Sequence, residues 1–320
     1  MDDHYTHLSR RNFTKLSALG IGGIPFGSFA SSMFSTNSPA NLDIHIFSKQ
    51  LQFLNYEEMS EAAADLGFQG IDLTVREKGH VLPEQVADKL PQAVAAMKHY
   101  GLNPALMTTN VLDVNNEAQM QVLKSASQSG FTHYRTAWLS YPEHRSITES
   151  QEIFAEQLRQ LGAVNKELGL IGCYQNHAGN HVGAPIWDLP RILETANPAY
   201  LGCQYDIRHA VVEGGKSWEL GLRLVHPLIK SLVIKDFKWG REGGRWTLIN
   251  TPLGDGMVDF TRYFSLLKKY KIDVPISLHL EYDLGGAEHG ADEITIDKSI
   301  IFKHMKQDLN FIRTHWDRAE

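Results

Sequence analysis

The stretch Pro275-Ile-Ser-Leu-His-Leu-Glu-Tyr282 is an apolar run of strand length that carries two polar side chains, His279 and Glu281. Residues two positions apart on a strand point the same way, so both face one side of the sheet that this strand joins. Burying a carboxylate and an imidazole is costly unless a partner compensates them, and a metal ion or a polar substrate is the usual partner. The acidic end of this strand is therefore the first candidate for a functional site.

This strand is the eighth in a series, because short apolar runs alternate with segments of helical period from residue 41 onward. The predicted strands are Leu42–Phe47, Gly70–Val75, Leu102–Met107, Phe131–Thr136, Ile171–Gln175, Leu201–Tyr205, Ser231–Ile234 and Ile276–Leu280. The predicted helices are Tyr56–Leu66, Pro83–Tyr100, Glu117–Ser129, Ile153–Leu168, Asp259–Tyr270 and Asp297–Arg313. Glycines 67, 101, 130 and 169 follow four of these helices, where a left-handed cap favours glycine.

Alternating strands and helices predict a parallel α/β sheet, and eight repeats match a single (β/α)8 TIM barrel over residues 41–320. An open, doubly wound sheet is the alternative. It is disfavoured because no Gly-x-Gly-x-x-Gly turn follows the first strand.

The composition of the chain disfavours nucleic-acid-binding proteins and membrane-spanning proteins. The chain of 320 residues has a formal charge of -6 and no dense run of Lys or Arg, which disfavours nucleic-acid binding. No segment has the roughly 18–20 uninterrupted apolar residues of a membrane span. Cys173 and Cys203 lie inside predicted strands, so we expect buried thiols and not a disulfide or a metal site.

The N-terminus has a different character from the rest of the chain. Ser9-Arg10-Arg11-Asn12-Phe13-Thr14-Lys15 resembles a twin-arginine export signal, and a Gly-rich, mildly apolar stretch follows it. We expect residues 1–40 to be a removable signal peptide and the mature barrel to be periplasmic. The alternative is a disordered arm with a chance Arg pair.

The carboxyl ends of the predicted strands carry many polar side chains, and TIM barrels build their active sites at these ends. In chain order they are Arg76, Thr108, Thr109, Asn110, Arg135, Trp138, Gln175, Asn176, His177, Asp206, His209, Lys235, Asp236 and Glu281. The opposite ends are ordinary turns. This asymmetry predicts an active-site rim.

Asp206-Ile-Arg-His209 contains the clearest pair of candidate metal ligands on this rim. A strand-end carboxylate and an imidazole three residues later can turn toward one centre. Carboxylate oxygen and imidazole nitrogen together suit Mn, Co, Zn or Mg. The alternative is an Asp that caps a helix with a His packed beside it. Glu281 would complete a metal site.

Other rim residues have two interpretations each. Lys235 would hold a substrate oxygen or stabilise an enolate, or else pair with Asp236. Trp138 could present a flat face to a sugar ring, or only pack. The full set of predicted substrate-binding residues is Trp138, Arg135, Asn176, His177 and His279.

Six segments together resemble the xylose-isomerase-like barrels, also called sugar phosphate isomerase/epimerase-like proteins, which include the endonuclease IV type. They are Leu66-Gly-Phe-Gln-Gly-Ile-Asp72, Gln175-Asn-His177, Asp206-Ile-Arg-His209, Ile234-Lys-Asp-Phe237, Leu253-Gly-Asp-Gly-Met-Val-Asp-Phe260 and His279-Leu-Glu-Tyr282. The resemblance implies a divalent ion held by Glu, Asp, His and Glu from the fifth to eighth strands, with the two glutamates moving protons.

The match to that ligand set is partial. Asp206, the neighbouring His209 and Glu281 match, but Gln175 stands at the fifth-strand glutamate position and Val233 at the seventh-strand histidine position. Gln can offer a carbonyl oxygen but cannot accept a proton, which argues against symmetric two-base epimerisation. Whether His177 or His279 supplies the missing nitrogen ligand is left open by the spacing.

The resemblance and the rim residues together predict a metal-assisted sugar isomerase or epimerase that works through an enediolate on a small carbohydrate. The metal ligands would be Gln175, Asp206, His209 and Glu281, with Glu281 also the base and Lys235 and His209 steadying the enediolate. The alternatives are a lyase or hydratase acting on a 3-keto-glycoside, and a non-catalytic carbohydrate-binding barrel. A homo-oligomer is compatible with the sequence, although no segment has a pattern that indicates a subunit interface.

Overall fold

The computed structural model describes residues 42–320, so the predicted export signal lies outside the described residues. Eight parallel strands close into a barrel in the order β1-β2-β3-β4-β5-β6-β7-β10, which confirms the predicted (β/α)8 fold. The strands are β1 Ile44–Phe47, β2 Gly70–Val75, β3 Leu106–Thr109, β4 His133–Arg135, β5 Ile171–Gln175, β6 Leu201–Asp206, β7 Ile229–Ile234 and β10 Ile276–Leu278.

Nine α-helices accompany these strands in the described part of the chain. They are α1 Tyr56–Leu66, α2 Val86–His99, α3 Glu117–Ser129, α4 Ile147–Leu168, α5 Asp188–Leu193, α6 Ile207–Gly214, α7 Trp218–Val225, α8 Phe260–Lys269 and α9 Lys298–Arg318. Within residues 42–320, none of the helices has the length and apolarity needed to cross a membrane.

Local chemistry explains where helices begin and end. Asn55 accepts the backbone N–H of Glu58, whose carboxylate accepts the N–H of Asn55, and this capping box starts α1. Gly67 ends α1 with φ of 89°, in the left-handed region that favours glycine. A second capping box, Ser146 with Glu149, starts α4 at Ile147, six residues before the predicted start.

An antiparallel hairpin that the sequence analysis did not predict follows β7. Its strands are β8 Asp236–Glu242 and β9 Arg245–Thr251, paired from Asp236 with Thr251 to Glu242 with Arg245. Gly243 and Gly244 make its turn with φ of 56° and 80°. Two successive positive φ values suit glycine and match the twist of a hairpin. This hairpin brings Asn250 to the carboxyl ends of the barrel strands.

The barrel interior contains polar links as well as apolar packing. The carboxylate of Asp72 on β2 accepts hydrogen bonds from Thr108 Oγ1 at 3.0 Å and from Ser277 Oγ at 2.6 Å, which ties β2 to β3 and β10. Cys173 and Cys203 are buried free thiols, as predicted.

Asp308 on α9 makes the stability of the barrel depend on pH. It accepts hydrogen bonds from Tyr282 Oη at 2.9 Å and from the backbone N–H of Leu253 at 3.3 Å. Burial raises the pKa of Asp308 to about 7, above its ordinary value of 3.8. The folded state therefore binds this proton more tightly than the unfolded state. The stabilisation is complete below about pH 4 and is lost as the pH rises through about 7.

We expect the Tm of the native protein to fall by several degrees between roughly pH 5 and 8, since this shift is worth a few kcal/mol. In Asp308→Asn the amide oxygen can still accept from the N–H of Leu253 and the NH₂ group can donate to Tyr282 Oη. The side chain cannot ionise, so the Tm of the variant should change less over the same range. Thermal unfolding followed by circular dichroism checks both curves. An unchanged pH slope in the variant would remove Asp308 as the cause.

Candidate active site

A cavity of about 180 Å³ opens at the carboxyl ends of the barrel strands. Its wall combines cationic, aromatic and imidazole side chains with one carboxylate. The lining residues are Phe47, Lys49, Arg76, Arg135, Trp138, Gln175, His177, Lys235, His279 and Glu281. Seven of these ten were singled out in the sequence as substrate-binding, metal-binding or catalytic residues. Arg76 was noted only as a rim residue, and Phe47 and Lys49 at the end of β1 were missed.

The ammonium of Lys235 lies at the centre of the predicted ligand set. Its Nζ is 3.1 Å from Glu281 Oε1, 3.2 Å from Asp206 Oδ2 and 2.9 Å from His209 Nε2. An ammonium has three N–H donors, and the carboxylates of Glu281 and Asp206 can take two of them. The three residues that the sequence analysis expected to share one centre do so, but that centre is a lysine nitrogen.

Asp206 is fully buried at the end of β6 and is held from several directions. Gln175 Nε2 donates to its Oδ2 at 2.8 Å, and the backbone N–H of His209 donates to its Oδ1 at 3.1 Å. Asn176 makes two further bonds to the backbone of Asp206. Burial raises the pKa of Asp206, and Lys235 opposes that rise. Asp206 therefore caps α6, which was the alternative interpretation of the pair, and its carboxylate also anchors Lys235.

Glu281 is the accessible carboxylate of the centre, with 23% of its side chain exposed. Burial alone would raise its pKa, but the positive charges of Lys235 and Lys49 oppose burial, and the pKa is held well below 4.5. Asn250 of β9, which the sequence analysis missed, donates to the backbone oxygen of Glu281 at 3.1 Å. Glu281 is thus an ionised carboxylate that faces the cavity at neutral pH.

The imidazoles around the cavity are neutral at neutral pH. Burial lowers the pKa of His177 to about 4 and that of His279 to about 3, and it holds the pKa of His209 well below 6.5. His177 packs between Trp138 and His209, with its ring edge-on to Trp138 and tilted against His209 at centroid distances of 4.6 and 4.0 Å. These neutral rings can accept or donate a hydrogen bond without adding to the positive charge of the cavity.

The tautomer of His279 follows from its neighbours. Ser277 uses its one hydroxyl proton on Asp72, so its oxygen must accept from His279 Nε2, which is 3.0 Å away. The unprotonated Nδ1 then faces Glu281 Oε1 at 3.8 Å. Phe47 stacks on the ring at 4.1 Å. His279 is therefore fixed in place with a free lone pair at the cavity wall.

Lys235 does not pair with Asp236, which was its alternative partner. The Asp236 carboxylate accepts four backbone N–H groups instead, from Phe237, Gly254, Gly256 and Val258. A Cβ at position 256 would collide with this carboxylate, so glycine is required there. The Leu253-Gly-Asp-Gly256 segment is thus a turn that wraps Asp236.

The predicted metal ligands do not fit a divalent ion as they are arranged. Among residues 42–320, no group of three or more His, Cys, Asp and Glu side chains is placed to hold one. Gln175, Asp206, His209 and Glu281 are brought together as predicted, but Lys235 places a positive charge where the ion would bind. Gln175 also turns its NH₂ group toward Asp206, where a ligand would present oxygen. A second cation at this point would meet direct repulsion.

Comparison with known proteins agrees with this architecture. A family model described as xylose isomerase-like TIM barrel matches residues 60–297. A 3-keto-D-glucoside 4-epimerase from E. coli has a TM-score of 0.63 at 14% identity, covering 85% of this chain and 99% of its own. A D-psicose 3-epimerase from Clostridium cellulolyticum H10, solved with D-tagatose, has a TM-score of 0.63 at 12% identity, covering 86% and 99%.

A third similar structure is a xylose isomerase-like TIM barrel protein from Mycobacterium smegmatis in complex with magnesium. Its TM-score is 0.60 at 15% identity, and the match covers 85% of this chain and 99% of that one. No curated protein matches the sequence. At these identities the solved structures support the fold, while the family model covers most of the chain. The protein belongs to the xylose isomerase-like TIM barrel family.

Proposed function

We propose that the protein is a sugar isomerase or epimerase that forms an enediolate, with the Lys235 ammonium in the role that the sequence analysis gave to a divalent ion. The contact of Lys235 Nζ with Glu281, Asp206 and His209 carries this proposal. A positive charge held by buried partners is already oriented before the substrate arrives, which is the requirement for stabilising a developing oxyanion.

The proposed reaction starts with a sugar carbonyl oxygen binding to Lys235 Nζ. This oxygen replaces Glu281 Oε1, the only one of the three contacts that belongs to a partly exposed side chain. The freed carboxylate of Glu281 takes the proton from the carbon next to the carbonyl. The electron pair of that C–H bond becomes the enediolate, whose oxygen stays on Lys235. Return of the proton by Glu281 to the former carbonyl carbon, while the adjacent hydroxyl passes its proton to the enediolate oxygen, gives isomerisation. Return of a proton to the original carbon on its opposite face gives epimerisation, and that proton has to come from a donor other than Glu281.

The proposed base and the proposed oxyanion donor each make a large expected contribution to the rate. A positioned general base contributes about 10²–10⁴-fold, and one oxyanion donor contributes about 10²–10³-fold. Asp206 does not take part in proton transfer in this scheme. It is a positioning residue, because its buried carboxylate holds the lysine at the point where the substrate oxygen arrives.

Proton exchange in D₂O tests the proposed function directly. We expect the mature protein to exchange one C–H proton of a keto- or aldo-sugar, detected by NMR in a panel of such sugars. Formation of the isomer or epimer would distinguish the proposal from a lyase, for which exchange accompanies loss of a leaving group. Tight sugar binding without any exchange would favour a non-catalytic carbohydrate-binding barrel and would contradict the proposal.

A further inference from the structure

We propose that the substrate carries an oxyanion, a carboxylate or a phosphate, which binds between Lys49, Arg76 and Arg135. This inference rests on the proposed function, because it names the class of sugar that the same cavity takes. Lys49 and Arg76 follow β1 and β2, and Arg135 is the last residue of β4. In the closed barrel β2 lies opposite β6 and its Asp206, β1 is next to β2, and β4 is two strands from β2. The substrate would thus span the cavity, with its carbonyl at Lys235 and its anionic group on the other side.

The charges that line the cavity are not balanced. Four side chains there are cationic, and Glu281 is the one carboxylate among the lining residues. Asp72 and Asp206 are buried beneath the cavity. If both are ionised, three carboxylates face four cations. Lys235 is already neutralised by Glu281 and Asp206. The positive excess therefore falls on the other three cations, and a buried charge without a partner is costly.

The contacts of these three cations confirm the imbalance. Within residues 42–320, none of them has a carboxylate oxygen within 4.0 Å. Arg135 is only 4% exposed, and Nη2 donates to the backbone oxygen of Thr109 at 3.2 Å. The Nε atoms of Arg135 and Arg76 are buried and have no hydrogen-bond partner. The guanidiniums of Arg76 and Arg135 therefore lack part of the hydrogen bonding that buried charged groups need.

Titration behaviour is in line with the contacts. Burial, with a contribution from the nearby Arg76, lowers the pKa of Arg135 to about 9. Burial likewise lowers the pKa of Lys49 and of Arg76. Each shift means that the charged form is short of compensating interactions in the unliganded protein. An anion bound among these groups would supply them.

The orientation of Arg135 favours an oxyanion over other ligands. Its guanidinium lies 4.2 Å from the ring of Trp138, so the planar fork is held in one direction by stacking. A fixed fork matches the paired oxygens of a carboxylate or phosphate, and such bonds are about twice as strong as neutral ones. The cavity of about 180 Å³ limits the ligand to the scale of one sugar unit. An acidic monosaccharide derivative meets all these conditions.

Calorimetric titration with three forms of one sugar tests the proposal: D-fructose, its uronic acid D-fructuronate and D-fructose 6-phosphate. We expect at least one acid to bind about tenfold or more tightly than the neutral sugar, and the preferred acid tells carboxylate from phosphate. Acetate and inorganic phosphate are titrated in parallel. They carry the anionic group without a sugar, so they report on the anion site even if fructose is the wrong sugar skeleton. Equal affinity for all three sugars, or no anion binding at all, would overturn the proposal.

Arg135→Gln should remove about tenfold or more of the preference for the acid over the neutral sugar. Arg241→Gln is the matched control, since Arg241 also stacks on a tryptophan, 5.1 Å from the ring of Trp246, but is exposed on the hairpin. The control should keep the native preference. An unchanged preference in Arg135→Gln would contradict the assignment.

Two further results separate this inference from the proposed function. Binding of an acid without any deuterium exchange would contradict the proposed function alone. Exchange that is equally fast for neutral and acidic sugars, with no difference in affinity, would contradict the anion site alone.

Discussion

Lys235→Ala is expected to abolish sugar proton exchange, by at least about a hundredfold, and to turn the centre into a site for a divalent cation. The loss follows because the variant has no donor at the developing oxyanion. The gain follows because Asp206, His209 and Glu281, whose acceptor atoms all lie within 3.2 Å of the lysine nitrogen, would be left without a cation. Two carboxylates and an imidazole are a suitable ligand set for Zn or Mn.

Calorimetric titration of the variant with Zn or Mn measures the gain, and circular dichroism shows whether it folds. Lys230→Met is the matched control, because Lys230 lies on the same strand, is partly buried, and is absent from the cavity wall. The control should exchange sugar protons at the native rate and bind no added metal tightly. Retained exchange in a folded Lys235→Ala protein would remove the lysine from its proposed role.

Glu281→Gln is expected to lower proton exchange by about 10²–10⁴-fold while leaving ligand binding largely intact. Glutamine has the same shape and can keep an oxygen near Lys235, but it cannot accept a proton. Because the pKa of Glu281 is held well below 4.5, native exchange should not lose its base until the pH falls well below that value. Exchange rates measured as a function of pH, together with calorimetric binding, check both expectations.

Asp283→Asn serves as the control, since Asp283 is exposed two residues later and makes only a local bond to the N–H of Gly285. It should leave both exchange and binding near native. If Glu281→Gln still exchanged protons at the native rate, another group would have to be the base. The free Nδ1 of His279, 3.8 Å from Glu281 Oε1, would then be the next residue to test.

The barrel was predictable because its signals are local and repeated. Hydrophobic period and glycine caps placed β2 and β5 at the observed residues, and Gly67 has the left-handed conformation expected of a cap. The hairpin at Asp236–Thr251 was missed because it interrupts the alternation after β7. The Gly243-Gly244 pair between two tryptophan-bearing runs was the available signal for it.

The site was predictable in its location but not in its chemistry. The strand-end rule predicted that Asp206, His209 and Glu281 would share one centre, since Asp206 ends β6, His209 follows it by three residues, and Glu281 follows the end of β10. The group that lies at this centre is the ammonium of Lys235, whose side chain reaches from the end of β7 to residues at the ends of β6 and β10. No local sequence pattern specifies such a contact between strands. The departures from the family pattern at Gln175 and Val233 were the hint that the ligand set had changed. Lys235, two residues after Val233, supplies the positive charge instead.

In the proposed active centre a lysine ammonium, and not a metal ion, provides the positive charge. Elemental analysis of the purified protein, followed by sugar proton exchange before and after treatment with EDTA, is the decisive experiment. We expect no stoichiometric Mn, Co, Zn or Mg and an exchange rate that EDTA leaves unchanged. Exchange that disappears with EDTA and returns on adding one of these ions would contradict it.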